Sequence, residues 1–397
     1  MKGKLTVLMI TAFVDMLGLA MVIPLLPFYA TKLGASATIV GVLIAAFSIA
    51  QLASAPLWGR FSDRYGRRPA LLAGLLVSAV AYVVFAYAST LWLLLISRVV
   101  QGLGGGTIGV VQAYVADASD PKDRAKSLGW LSAATSLGAV VGPAIGSALI
   151  HWGRQAPGIA SAIFCVLVSV FAGIYLRESR EEASQSGEHE VMHQSSAGAV
   201  WSVIAHPKEP AQRLILIYAI AIGAFYGTAP TLPLILADRL PITEGNVGYF
   251  VMYLGGMGVV VRGGILGRMI EWLGEARLTR LGLVLLALGL ASVAAVHSYP
   301  TLLLALTLMP LGTAFVFPCV TAMLSRVVPS RHRGLYMGVQ HTFGGVSRVI
   351  FPLAAGVAMD HLGLGVPFVL AGVLVMATLL LTGSMNEYAP SRAASVT

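Results

Sequence analysis

Charged side chains are scarce in this sequence. Only 11% of its 397 residues are Asp, Glu, Lys or Arg, whereas 57% are hydrophobic. Soluble globular proteins carry about 25% charged residues, so this composition excludes the soluble globular class. Acidic residues are also fewer than basic ones, 17 against 26, which gives a net charge of +9. The composition predicts a polytopic membrane protein, with the lipid bilayer as its surroundings.

Cysteine is nearly absent as well. Cys165 and Cys319 are the only two, and both lie in apolar runs. We interpret them as small core residues rather than as a disulfide or a metal pair. No P-loop is present, so ATP is not expected as an energy source. No group of nucleophile and base or of metal ligands indicates an enzyme, and we expect neither a cofactor nor a metal.

Long apolar runs make up most of the chain. A membrane-spanning helix needs about 20 mainly apolar residues, and the first run contains Asp15 and is too long for a signal-peptide core. We therefore keep it as the first of twelve predicted spans, which are 5–29, 36–58, 70–88, 91–117, 126–150, 157–176, 213–237, 245–267, 277–297, 300–325, 334–358 and 365–385. The sequence thus predicts an all-α membrane protein with twelve transmembrane helices.

Lysine and arginine are distributed unevenly between the predicted loops. Most lie near the two ends of the chain and in alternate loops, whereas Lys32, Arg154 and Arg239 are the ones in the opposite loops. Short cytoplasmic loops carry the Lys/Arg excess, so we expect both termini in the cytoplasm. This placement also explains the basic net charge without nucleic acid as a partner.

The two halves of the chain repeat a common pattern. The segment 267–274 resembles 59–66, and Arg333 precedes Pro352 by the same spacing as Arg124 precedes Pro143, with Pro329 and Pro121 shortly before the two arginines. Parallel six-helix repeats around a site near the bilayer midplane are one way in which transporters are built. The long polar stretch between the halves is rich in Glu, Ser, Gln and His and is expected to be partly disordered. We predict an N-terminal six-helix bundle over 1–176, a cytoplasmic linker over 177–212 and a C-terminal six-helix bundle over 213–397.

The segment Gly59–Pro69 is the densest cluster of charge in the chain. Gly59 and Gly66 are expected to take a positive φ or to allow close backbone approach in a tight turn. Asp63 is an acid among several arginines, which predicts a specific partner for it, although a solvated cytoplasmic loop is the alternative. Asp117 ends the fourth span on the same side of the membrane, so we expect it beside Arg67.

The order of these residues, preceded by Ala55-Pro56-Leu57-Trp58, resembles the loop signature between helices 2 and 3 of the major facilitator superfamily. These residues are most similar to the corresponding segment of the tetracycline/proton antiporters and related twelve-helix drug exporters. The resemblance implies two six-helix bundles and transport driven by a proton gradient. Asp63 would face the N-terminal end of helix 11, where partial positive charge favours an anion. The expected cytoplasmic gate consists of Gly59, Asp63, Gly66, Arg67, Arg68 and Asp117.

Two ionisable residues lie deep in the first half. An ionisable group within a span marks function by default, and Asp15 lies about ten residues into the first span. Arg98 begins a Gly-rich face of helix 4 that resembles the superfamily's helix 4 signature. We expect Asp15 and Arg98 to take part in proton coupling; a static ion pair is the alternative for Asp15, and an anion site for Arg98.

Helix 5 carries the pattern G-x-x-x-G-P-x-x-G. Glycines at this spacing form a helix-packing surface, and the proline favours a kink. In the superfamily this motif is associated with antiporters, so its presence here implies export. The residues of this antiporter motif are Gly138, Gly142, Pro143 and Gly146.

The second half contains two arginines within spans, Arg262 in helix 8 and Arg348 in helix 11. Arg262 either snorkels to the interface or lines the substrate cavity, whereas Arg348 is deeper and is the better site candidate. His341 is a titratable or a structural histidine. By helix position, the further substrate-cavity candidates are Phe47, Tyr114, Phe225, Tyr226, Tyr253, Tyr336 and Gln340.

Tetracycline antiporters typically carry a further acid in helix 3, where this chain has Ala81-Tyr82. That departure argues against tetracycline as the substrate. The sequence predicts a proton-coupled antiporter that exports small amphipathic compounds by alternating access, as a monomer, across a bacterial cytoplasmic membrane. The alternatives are a transporter or flippase of an anionic metabolite or lipid that uses Arg262 and Arg348, and a membrane receptor or scaffold that transports nothing.

Overall fold

The computed structural model describes residues 2–105, 107–120, 122–176, 178, 201, 203, 205, 209–383 and 385. Eleven helices in these ranges are long and apolar enough to cross a membrane, and a shorter apolar helix follows them. In chain order they are α1 (Leu5–Lys32), α2 (Ala37–Tyr65), α3 (Arg67–Ala86), α4 (Leu91–Asp117), α5 (Arg124–Trp152), α6 (Ala156–Tyr175), α7 (Pro210–Arg239), α8 (Val247–Leu273), α9 (Glu275–Val293), α10 (Tyr299–Val327), α11 (Arg333–Leu362) and α12 (Val366–Thr382). The predicted all-α fold with twelve spans is confirmed.

Most of the predicted linker, 177–212, lies outside the described residues. The chain divides into two compact units. The first comprises Met1–Glu190 and Ile242–Tyr253, and the second comprises Val191–Pro241 and Leu254–Thr397. The start of α8 therefore groups with the first unit and its remainder with the second.

The two units use the same helix pairs. In the first unit, α1 packs against α5, and α3 packs against both α4 and α6. In the second unit, α7 packs against α11, and α9 packs against both α10 and α12. These pairs correspond when six is added to each helix number, so the repeat seen in the sequence extends to the packing inside each unit.

Glycines in the left-handed region end equivalent helices in the two units. Gly66 follows α2 with φ +104°, and Gly274 follows α8 with φ +77°. Gly153 after α5 and Gly363 after α11 have φ +122° and +109°. Side chains with a Cβ rarely adopt this region, whereas glycine does so readily. The predicted correspondence of 59–66 with 267–274 is therefore reflected in the backbone.

Breaks in the helices occur where the sequence disfavours regular hydrogen bonding. A 3-10 turn over Ile23–Leu25 interrupts α1 at its prolines, and another over Ala229–Thr231 interrupts α7. Proline lacks the backbone donor that a regular turn requires. A π-helical turn over Val261–Ile265 interrupts α8 and contains Arg262. Such turns are often found at functional sites.

Large apolar side chains cover the outward faces of the helices. Leu167 of α6 is 60% exposed and Leu380 of α12 is 86% exposed. Soluble monomers rarely present apolar patches of such extent to water, and a bilayer is the solvent in which these faces are stable. Cys165 and Cys319 are both fully buried, as the sequence indicated for small core residues.

Candidate functional site

A cavity of about 680 Å³ lies between α1, α3, α4 and α5 of the first unit. Its volume is in the range of sites for drug-sized ligands. Asp15 is the only charged side chain among its described lining residues. The neutral polar side chains in the lining are Thr11, Gln112, Ser132 and Thr135, and the apolar ones include Met16, Leu71, Leu75, Ile108, Val111 and Leu131. The cavity is thus an apolar chamber with one carboxylate and a few hydroxyl and amide groups.

Asp15 is half-buried. Its electrostatic neighbours include Tyr82 of α3 and Cys165 of α6. Arg98 of α4 is 2% exposed and lies with its guanidinium carbon 5.1 Å from the centroid of the Phe85 ring. The salt bridges between described residues do not include one between Asp15 and Arg98. Both side chains interact electrostatically with Tyr82.

The charged turn between α2 and α3 is centred on Arg67. Its side chain donates to Asp63 Oδ1 at 2.8 Å, to Ser62 Oγ at 2.9 Å and to Asp117 Oδ2 at 3.1 Å. The expected proximity of Asp117 to Arg67 is therefore present. The Asp63 side chain is 67% exposed. The role of these residues as a cytoplasmic gate stays a prediction.

The turn is tighter than the sequence indicated. The helix α2 continues through Gly59 to Tyr65, and α3 begins at Arg67, so Gly66 alone forms the connection. The expectation of a special backbone is correct for Gly66 but wrong for Gly59, which is helical and has open space where a Cβ would be. An exposed glycine inside a helix requires neither a positive φ nor close approach.

Glu178, just after α6, is a partner that the sequence did not indicate. Its carboxylate accepts from the backbone N–H groups of Arg67 at 2.9 Å and Arg68 at 3.2 Å. The first N–H groups of a helix have no partner within the helix itself, and the helix dipole at the start of α3 favours an anion there. The Arg68 side chain donates to the carbonyl oxygen of Gly173. Glu178 thereby joins the end of α6 to the start of α3.

The glycine motif of α5 faces α1. A Cβ at Gly142 would lie 2.8 Å from the Leu17 carbonyl oxygen, and one at Gly138 or Gly146 would overlap the α1 backbone. The predicted packing surface is thus present. Pro143, inside α5, brings its carbonyl group against Gly248 at the start of α8, within the first unit. The association of this glycine motif with export stays a prediction.

Several aromatic candidates of the first unit lie elsewhere than in the cavity. Tyr114 is fully buried among core residues of α1, α3, α5 and α6 and does not line this cavity, and its contact with a substrate stays a prediction. The Phe47 backbone and ring pack against α4 at Gly102 and Gly105. Tyr253 is 36% exposed on α8. Helix position alone does not tell which face of a helix an aromatic residue occupies.

The remaining candidates belong to the second unit. Gln340 is fully buried and donates to Thr321 Oγ1 at 3.2 Å. The His341 ring lies 6.5 Å from that of Tyr218, and Arg348 Nε donates weakly to Gly344 of its own helix at 3.4 Å. The Phe225 and Tyr226 rings meet edge to face at 5.1 Å.

Tyr336 is half-buried on α11 and Arg262 is exposed. No acid pairs with either Arg262 or Arg348 among the described residues. Substrate contact by any of these second-unit side chains stays a prediction.

The sequence did not indicate the neutral polar lining of the cavity. Apolar spans contain these hydroxyl and amide side chains, which have no charge and belong to no motif: Thr11, Gln112, Ser132 and Thr135. Gln112 carries the one usable signal, since an amide within a span is uncommon. All four become recognisable once the packing shows that they face the same space.

Comparison with known proteins agrees with this geometry. The model of the Major Facilitator Superfamily matches residues 8–296 and 214–394. The chain is 29% identical over 381 residues to Multidrug resistance protein 1 of Bacillus subtilis (strain 168), covering 95% of each sequence. It is 26% identical over 364 residues to Tetracycline resistance protein, class B, of Escherichia coli, covering 91% of this chain and 90% of that one.

Solved structures share the fold. A bacterial homolog to the human lysosomal transporter Spinster superposes with a TM-score of 0.81 at 14% identity, covering 98% of each chain. The human organic anion transporter MFSD10 superposes with a TM-score of 0.67 at 24% identity, covering 96% of this chain and 99% of that one. With the matched family model, the twelve apolar helices and the repeated pairing inside each unit, this chain is a membrane transporter that belongs to the major facilitator superfamily.

Proposed function

We propose that the protein exports small amphipathic cations, of the kind found among drugs, in exchange for protons across a bacterial cytoplasmic membrane. The observation that carries this proposal is Asp15, the one charged side chain in the described lining of a drug-sized apolar cavity. Relatives of similar length are named as multidrug and tetracycline resistance proteins, which supports export as the direction.

The lining of the cavity favours a particular ligand chemistry. Apolar side chains such as Met16, Leu75 and Ile108 offer contact area to a hydrophobic body. Gln112 and Thr135 offer hydrogen bonds to ligands of different shapes. A carboxylate without an ion-pair partner among the described residues attracts a positive group. The combination suits lipophilic cations of varied structure.

Exchange follows if the proton and the cation compete for Asp15. At an effective dielectric constant of about 20, two unit charges about 4 Å apart attract each other by about 4 kcal/mol, which corresponds to roughly 10³-fold in affinity. Protonation removes the carboxylate charge and with it this attraction. A proton arriving from the acidic side of the membrane thus displaces the cation, and the alternating opening of the protein makes the exchange directional.

Arg348 and Arg262 support a second candidate function, transport of an anionic compound. Neither has an acidic partner among the described residues, and Arg262 lies in the π-helical turn of α8. An arginine presents several donors in a geometry that suits carboxylate and phosphate. Under this alternative, transport of an organic anion depends on the two arginines and is insensitive to Asp15.

Transport into inside-out vesicles tests the proposal. Asp15→Asn should abolish uptake of ethidium driven by an imposed pH gradient, since the amide does not exchange a proton. Asp120→Asn is the matched control, because Asp120 lies exposed in the loop after α4 and should leave uptake near wild type. Undiminished ethidium uptake by Asp15→Asn contradicts the proposal, and Asp15-independent uptake of a fluorescent anion would favour the second candidate.

A further inference from the structure

A second cavity, of about 420 Å³, forms a groove on the surface of the second unit. It lies where the end of α7, the segment that follows α9 and the turn between α11 and α12 meet. Arg239 is the one charged side chain among its described lining residues, and the others are glycine, alanine, valine and leucine. We call it the Arg239 groove. It lies at the end of α9 away from Gly274, which the distribution of Lys and Arg assigns to the outer side of the membrane.

Arg239 differs from the other two basic residues of the loops expected outside. Lys32 Nζ donates to Glu244 Oε2 at 2.7 Å. The guanidinium carbon of Arg154 lies 4.6 Å from the centroid of the Tyr29 ring. Arg239 is half-buried and makes neither an ion pair nor a ring contact with a described residue. Its charge therefore calls for an anion from outside the described part of the chain.

The guanidinium of Arg239 uses only one of its nitrogens within the protein. Nη1 donates to the carbonyl oxygens of Ala294 and Val296 and so caps the end of α9. Nε and Nη2 make no hydrogen bond to a described residue. Nη2 lies 3.4 Å from the position of a Cβ at Gly365, and the missing side chain leaves this edge of the guanidinium uncovered. Two neighbouring N–H donors on one edge match two oxygens of a phosphate group.

An apolar stripe on α12 begins at the groove. Val366, Val369, Leu370 and Val373 follow one another at the spacing of a single helix face. The last three are 39%, 46% and 59% exposed, and the first three line the groove. The stripe continues along α12 beyond the groove, toward the middle of the helix. It offers an acyl chain a surface directly beside a phosphate-binding edge.

The composition of the groove discriminates between headgroups. A zwitterionic lipid brings an ammonium group, and no acid is among the described lining residues to pair with it. Asp238, next to Arg239 in the chain, is exposed and does not line the groove. A free phosphate ion would leave the apolar stripe unused. An anionic lipid with one net negative charge uses both the guanidinium and the stripe.

We propose that the Arg239 groove binds an anionic phospholipid of the outer leaflet, with the headgroup phosphate on Nε and Nη2 of Arg239 and an acyl chain along α12. This site lies in the second unit and is independent of the exchange at Asp15. It makes the protein selective for phosphatidylglycerol over phosphatidylethanolamine at this position.

The test measures binding of the first lipid by native mass spectrometry of the purified full-length protein in detergent, titrated with phosphatidylglycerol or phosphatidylethanolamine. Wild type should bind phosphatidylglycerol more tightly. Arg239→Gln should bind it about tenfold more weakly, since a hydrogen-bonded charge pair is lost, and should change little toward phosphatidylethanolamine. Arg333→Gln is the matched control. Arg333 of the same unit is exposed, donates to the Ser325 carbonyl oxygen at 2.7 Å and lines neither cavity, so its variant should bind as wild type does.

Three results would overturn the inference. They are an unchanged affinity of Arg239→Gln for phosphatidylglycerol, an equal loss in Arg333→Gln, and displacement of the lipid by inorganic phosphate. If Arg239→Gln does not elute as a folded monodisperse protein, Leu364→Glu is measured in its place, because it keeps Arg239 with its carbonyl partners and adds a negative charge to the lining. It should also weaken phosphatidylglycerol binding, and an unmoved affinity overturns the inference.

Discussion

Gly66, in the turn between α2 and α3, meets two requirements: a positive φ and space for the side chain of Glu178. Gly66 has φ +104°, and a Cβ there would overlap the carboxylate of Glu178. That carboxylate accepts two backbone N–H groups at the start of α3. The backbone turn and the link between α3 and α6 therefore both require glycine at position 66.

Gly66→Ala should lower the stability of the protein by about 3 kcal/mol. A backbone with φ +104° and ψ 160° costs an alanine about 1–3 kcal/mol, and displacement of Glu178 weakens hydrogen bonds to a charged group worth about 1.5–3 kcal/mol. The measurement is the midpoint of thermal unfolding in detergent, followed by size-exclusion chromatography. Gly59→Ala is the control, since Gly59 is helical with open space around it. Its midpoint should equal or exceed that of wild type, and equal losses in both variants would contradict the account.

The sequence was informative about residues whose charge conflicts with their surroundings. Asp15 and Arg98 were recognisable because an ionisable group in an apolar span is costly, and Asp117 because it ends a span on the same side as Arg67. Glu178 was not recognisable as a partner of Arg67. Glu178 lies 111 residues from Arg67, and only packing brings the two together. The burial of Tyr114 in the core was not predicted, because a sequence does not reveal how a helix is rotated about its axis.

At the scale of helices, close approach depends on glycine placed on one face. In the first unit the glycines belong to α5 and meet the backbone of α1 at Leu17. In the second unit they belong to α7, where Gly223 and Gly227 meet Phe351 of α11. Equivalent helix pairs thus approach closely in both units, although the small residues are on opposite partners. This explains why Pro352 of α11 has no flanking glycine motif.

Gly142→Val should separate α1 from α5 and reduce stability by about 1–3 kcal/mol, the usual effect of overpacking. Because α1 carries Asp15, ethidium uptake should fall more than the amount of folded protein does. Gly129→Val in the same helix is the control, since nothing lies within 4 Å of the added Cβ position at Gly129. Its stability should stay within about 0.5 kcal/mol of wild type. A Gly142→Val variant as stable and active as Gly129→Val would show that the glycine face is not needed.

At the scale of the whole molecule, two units with the same helix pairing carry different ion pairs. Arg67 at the start of α3 pairs with Asp117 at the end of α4, whereas Glu275 at the start of α9 pairs with Arg326 at the end of α10. The position of the pair is repeated and its charges are exchanged. Hydropathy was sufficient to predict twelve spans, because the bilayer fixes helix length, and matching residues in the two halves indicated the repeat. The differences between the units lie in individual side chains, which a weak repeat does not predict.

The central claim is that substrate and proton compete for Asp15. Its most direct test is the proton released when tetraphenylphosphonium is added to the purified protein in weakly buffered detergent solution, measured with a pH indicator against the amount bound. Linkage requires that a cation which binds only the ionised carboxylate displaces its proton. At a pH where Asp15 is protonated, wild type should release about one proton per bound cation, and Asp15→Asn should release none while retaining weaker binding. Binding by wild type without proton release, or equal release by Asp15→Asn, would contradict the account.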